Sequence, residues 1–280
     1  MLITLIISPL FYFIYFYVLG IRPFAYFGII LYLLSMFIFV QIKKDMSIGN
    51  VTWVGGVLLL TLYSFIHSMT QKGPWGITPR KILITSLISV WSIRLIIYLY
   101  LRYQKNADPR FVKWENSGAK FGFLAKFIWI VILQGILMLI MSFPSVMINS
   151  QDLGGLNSLD FSGLLVWIIG FFFESVGDYQ LHAFLKKSNN HGKVMDQGLW
   201  KYTRHPNYFG EITMWWGIYL ITLSTYAGFY TIIAPFTITI LLAYFTGVPW
   251  AESVFQNNPA YIAYKKRTNK LIPGFFLNKN

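Results

Sequence analysis

Apolar runs of about twenty residues, each long enough to cross the hydrocarbon core of a bilayer as a helix, recur along this chain. Eight can be marked out, at 2–19, 24–42, 51–70, 82–101, 124–143, 161–184, 209–225 and 229–247. No water is present inside the bilayer to satisfy a peptide group, so a spanning segment must be a helix or part of a closed barrel. Barrel strands are about ten residues long and alternate in polarity, a pattern these runs lack. The expected fold is therefore all-α, a polytopic bundle of about seven to eight spans. Composition agrees: 56% of the residues are hydrophobic and only 12% charged, against about 25% charged in a typical soluble domain.

Two of the connections are short. Gly20 to Pro23 couples the first two spans closely, and Tyr226-Ala227-Gly228 joins the last two as a helical hairpin. The organisation expected is an N-terminal hairpin over 1–44 followed by one transmembrane domain over 45–280. Met1–Leu19 lacks the basic start and the small-residue cleavage site of a secretory signal, so it is read as a span.

Placement of Lys and Arg sets the orientation. With the N-terminus inside, the inner loops and tail hold eighteen basic residues and the outer loops four, Arg22, Lys72, Arg80 and Lys81. Both termini are expected to be cytoplasmic. The net charge of +13 then reads as topology and as contact with anionic lipid headgroups rather than with nucleic acid. The chain has no cysteine and four histidines, His67, His182, His191 and His205, which rules out thiolate chemistry and leaves no expectation of a metal site. His67 reads as a packing residue and His191 as solvated. The compartment expected is the inner membrane of a bacterium.

Ionisable residues within spans are costly and usually functional. Glu174, Asp178 and His182 recur every four residues, so they form one stripe on a helix face, in the cytoplasmic half of its span. Arg94 lies within another span, where it either pairs with Glu174 or Asp178 or snorkels. A second constellation runs Trp200-Lys201-Tyr202-Thr203-Arg204-His205-Pro206-Asn207-Tyr208-Phe209-Gly210-Glu211. Pro206 suits the first turn of a helix, and the free N–H groups of that turn favour an anion. Arg204 and His205 add charge there, and Asn207 and Glu211 face one way. The pattern points to an anionic cofactor with an acidic group one turn deeper. The basic tail from Pro259 to Pro273 either lies in the membrane interface or folds over the cytoplasmic mouth.

These residues, together with Trp91…Arg94-Leu95, Asp108-Pro109-Arg110, Gly247-Val248-Pro249…Glu252 and Pro259…Tyr261…Tyr264…Thr268…Pro273, resemble the DUF1295 family, the steroid 5-alpha-reductase-like branch of a membrane reductase superfamily. The resemblance covers roughly residues 45–275. It implies a helical bundle that binds NADPH from the cytoplasm and reduces a carbon–carbon double bond of a steroid-like or other lipid. The cofactor contacts it implies come from Asp178 beside Tyr179 and from Asn207 and Glu211. The wider cofactor set adds Glu174, His182, Lys186, Arg204, His205, Glu252, Tyr261 and Tyr264, while Trp91, Arg94 and Trp215 are assigned to the substrate. Hydride adds to one carbon and an acid protonates the enolate. Trp91 stands where steroid reductases carry a tyrosine donor, and Asn50 stands where the family carries an aspartate. The donor role thus falls to Tyr98, Tyr179 or Tyr208. An alternative reading is an S-adenosylmethionine-dependent methyltransferase of the isoprenylcysteine carboxyl type, which shares the Arg-His-Pro…Tyr motif but usually has an acidic pair where this chain has Ala251-Glu252.

Overall fold

A computed structural model describes residues 23–43, 48–72, 76–103, 128–151, 154–190 and 192–274. Among these, the regular structure is helical: α1 (Pro23–Lys43), α2 (Ile48–Lys72), α3 (Pro79–Tyr103), α4 (Gln134–Ser150), α5 (Ser158–Leu185), α6 (Pro206–Thr222), α7 (Ile233–Ile240), α8 (Val248–Ser253) and α9 (Pro259–Arg267). A wider π-helical turn, Ile128–Leu133, leads into α4, and another, Leu241–Phe245, follows α7. Among the described residues, five segments are long and apolar enough to cross a membrane: Gly49–Thr70, Pro79–Arg102, Val131–Ser150, Ser158–Leu185 and Gly228–Ser253. The segment expected at 2–19 lies outside the described residues, as do His191 and Asp108–Arg110.

The chain forms two compact units, Met1–Leu156 and Asn157–Asn280. In the first, α2 packs against α3 and α4. Apolar side chains gain little from meeting each other in lipid, so hydrogen bonds and close packing carry helix association there. The Thr61 and Ser145 hydroxyls lie 2.8 Å apart. The Asn149 amide donates to Ser64 Oγ at 2.9 Å and to Thr85 Oγ1 at 3.3 Å, linking all three helices. The span expected to end at 143 runs on to Ser150. Pro144 lies inside α4, where Phe143 to Asn149 are all buried, and packed neighbours let a transmembrane helix tolerate such a proline.

Arg80 and Lys81 look in the sequence like loop charges on the less basic side of the membrane. Both are buried. Arg80 donates to the Gly155 carbonyl and Lys81 to that of Gly76, each at 2.8 Å. They fasten the start of α3 and do not add to the charge of a solvated loop.

The second unit is organised by the antiparallel pair α5 and α6. Asn157 caps α5, accepting from the Leu159 and Asp160 N–H groups while Asp160 accepts from Asn157 N–H. Pro206 occupies the first turn of α6, where its missing donor costs nothing. The two helices meet along glycines spaced seven apart. A Cβ added at Gly163 would lie 2.6 Å from the Gly217 carbonyl oxygen, one at Gly170 2.5 Å from Met214 N, and one at Gly210 2.3 Å from Glu174 N. Backbone therefore lies on backbone over four turns, and the polar residues of both helices are held in fixed register.

Candidate functional site

The α5–α6 seam fixes what faces what at its loop-connected end. Gly210 lies against the Glu174 backbone, and Gly177 against Asn207 N and Pro206. Asn207 Nδ2 donates to Asp178 Oδ1 at 3.0 Å across the pair. Glu174, Asp178 and Glu211 are all buried. Asn207 Oδ1 is also buried and finds no donor among the described residues. A buried amide oxygen without a donor costs free energy, which a donor-bearing group placed there would relieve.

The rest of the stripe on α5 diverges from this wall. His182 and Lys186 are exposed, and Tyr179 is 72% exposed. The three carboxylate-bearing positions and Asn207 therefore come together, and His182 stands apart from them because α5 outlasts its cover by α6.

The loop entering α6 is tied down at both sides. Leu199 N–H donates to Gln180 Oε1 at 3.0 Å and Trp200 Nε1 to the Gly177 carbonyl at 3.1 Å. From the other side the tail runs along the loop. Arg204 N–H donates to the Asn269 carbonyl and Gly274 N–H to that of Tyr202, both at 2.9 Å. Thr203 Oγ1 donates to the Leu271 carbonyl at 2.7 Å, and Tyr264 donates its hydroxyl to the Trp200 carbonyl.

Arg204 sits at the centre of this junction. Its Nε and Nη2 both reach Glu252 Oε1 at 2.8 Å. Its Nη1 donates to the Lys265 and Thr268 carbonyls at 3.3 and 2.5 Å, closing the C-terminal end of α9. His205 Nε2 also meets Glu252 Oε1, at 3.3 Å, and Lys265 Nζ meets Oε2 at 2.8 Å. Glu252 thus collects donors from three residues and knits α8, α9 and the start of α6 into one body. Burial pushes the His205 pKa down, with Arg204 and Lys270 adding to the effect and Glu252 opposing it. The imidazole is therefore neutral at neutral pH. Burial also raises the Tyr261 hydroxyl to about 12 and pushes Tyr264 up, so neither ionises near neutrality.

Of the tyrosines read as donors, Tyr208 stacks on His205, with ring centroids 5.4 Å apart and planes 11° apart. Tyr98 lies in the first unit. Arg102 Nη1 donates to its hydroxyl at 3.3 Å, and the Arg94 guanidinium lies 5.7 Å from its ring centre. Trp91 is buried against Trp53, at 5.7 Å, and Trp215 is buried one turn beyond Glu211. His67 stacks on Tyr63, as a packing residue does. Gln180, Thr203 and Thr268 hold the site loop in place through partners 19 to 68 positions away, which their spacing in the sequence does not indicate.

The chain matches the sequence model of the DUF1295 family, described as a protein of unknown function, over residues 36–268. No curated protein and no solved structure matches it.

Proposed function

Because this chain belongs to the DUF1295 family, which suggests a steroid 5-alpha-reductase-like membrane protein, we propose that it is an NADPH-dependent reductase of a carbon–carbon double bond in a steroid-like or other lipid. The observation that carries the reading is Asn207. One end of its amide is spent on Asp178 and the other is buried without a donor, beside Glu174 and Glu211. This wall of acceptors fits the amide and hydroxyl donors of a nicotinamide nucleotide. Bound there, NADPH supplies the hydride.

The chain's own residues do the rest. Asp178, Asn207, Glu174 and Glu211 accept N–H and O–H groups and fix the orientation of the ligand. Exposed Lys186 provides a cation for a phosphate. Arg204, with its donors spent on Glu252 and on backbone carbonyls, holds the loop that carries Asn207. Tyr208 provides the proton. It shares a turn of α6 with Asn207, and its stacking on His205 fixes its ring. Tyr179 is too exposed to shield a proton transfer, and Trp91 has no acidic proton to give. Where the double bond is conjugated to a carbonyl, hydride adds to the β carbon, the enolate oxygen takes the proton, and the enol tautomerises to the saturated ketone.

Purified protein titrated with NADPH and, separately, with S-adenosylmethionine tests the reading by thermal shift. Stabilisation by NADPH, weakened in Asn207→Ala and Glu211→Gln proteins that still fold, is expected. Stabilisation by S-adenosylmethionine alone would transfer the site to methyl-transfer chemistry and end the reductase reading.

A further inference from the structure

The loop of residues 186–204 and the tail of residues 258–274 form one platform at the end of the α5–α6 pair. Contacts join them along their length: Asn258 to the Gly192 carbonyl, Arg267 to Asp196, Tyr264 to the Trp200 carbonyl, and Thr203 to Leu271. Residues 185–204 and 252–274 contain nine bases and two acids. Both acids are committed. Asp196 pairs with Arg267 at 2.6 Å, and Glu252 with Arg204 and Lys265. Lys187, Lys193, Lys201 and Lys266 are exposed and meet no carboxylate among the described residues.

The apolar residues of the platform add a second observation. Helix α9 buries Tyr261 and Tyr264 against the loop and turns Ile262, Lys265 and Lys266 outward. Ile262 and Lys266 are one turn apart and share a face. Ile272 in the tail is 70% exposed. Uncompensated lysines beside exposed isoleucines, a few residues beyond the end of the membrane-crossing α5, match a bilayer surface. The charges meet headgroup phosphates and the apolar side chains enter the region beneath them.

We propose that this platform docks on the anionic phospholipid headgroups of the leaflet from which α5 emerges. The surface is distinct from the acceptor wall around Asn207 and does not depend on which cofactor that wall binds. The chain is free of cysteine, so Ile272→Cys carries a single environment-sensitive NBD fluorophore. The labelled full-length protein is placed in nanodiscs of phosphatidylglycerol or of phosphatidylcholine. The expected result is a blue shift of emission in phosphatidylglycerol relative to phosphatidylcholine, fading as salt rises past the screening range. The shift is expected to be lost in the protein that also carries K187Q, K193Q, K201Q and K266Q. Equal emission in the two lipids overturns the proposal, with or without a well-folded quadruple variant. So does a shift that the quadruple variant retains. A shift driven by NADPH in neutral nanodiscs, with none from phosphatidylglycerol, assigns the basic rim to the cofactor and overturns it as well.

Discussion

The seam between α5 and α6 sets the position of every residue in the proposed site, and Gly210→Ala tests it directly. The new Cβ would lie 2.3 Å from Glu174 N, 2.5 Å from the Gly170 carbonyl oxygen and 2.8 Å from Glu174 Cα. All three are backbone atoms of a packed helix, so no rotamer change relieves them. Ordinary contact begins at 3.4 Å, and the helices must move apart by roughly 1 Å to reach it, which opens the interface on either side. Overpacking of this kind costs about 1–3 kcal/mol, and the rigidity of the neighbours puts it at the upper end. Alanine returns about 1 kcal/mol through its better helix propensity. The expected net loss is about 2 kcal/mol. Gly28→Ala in α1 is the control, since a Cβ there meets nothing within 4 Å among the described residues and is expected to show the propensity gain. Thermal unfolding of the two variants in the same detergent measures the difference. Gly210→Ala matching Gly28→Ala in stability would show that the backbones do not lie this close.

Two further expectations concern the Arg204 junction. Arg204→Lys keeps the charge, but one ammonium cannot reach both Glu252 and the Thr268 carbonyl. The loss of at least one charge-assisted bond is expected to cost about 1.5–3 kcal/mol; a melting temperature equal to that of the parent would refute it. His205 has a lowered pKa in the folded protein, so the unfolded chain binds the proton more readily. Its contribution is fully present above the unfolded value of about 6.5 and is lost as pH falls below it. Melting at pH 7.5 and 5.5 is expected to show a larger drop for the parent protein than for His205→Gln.

Much of this architecture is legible in the sequence because each piece is local. Apolar runs announce the helices, Pro206 announces the start of α6, and four-residue spacing puts Glu174 and Asp178 on one face. The parts that escape depend on residues far apart along the chain. Nothing near Arg204 indicates that its guanidinium ends on Glu252 and Thr268, 48 and 64 positions later. Spacing alone groups His182 with Asp178, but only packing shows that α6 has ended by then and left His182 outside. Pro144 reads as a helix stop until neighbouring helices are known to enclose it. Arg80 and Lys81 look like solvated charges until their carbonyl partners are seen. The seven-residue glycine spacing was present in the sequence, and it became informative only when two such rows faced each other.

The clasp of the tail over the loop has a consequence for biogenesis. While the chain is being made, α5 and α6 can close their seam as soon as both have left the ribosome. Arg204 then stands at the mouth of the hairpin with neither Glu252 nor the end of α9 yet synthesised. Its fork is completed only when Thr268 arrives, so a chain interrupted before that point carries an unclosed loop. A fragment that ends before Glu252 therefore leaves the Arg204 guanidinium without its carboxylate partner at the open end of the hairpin.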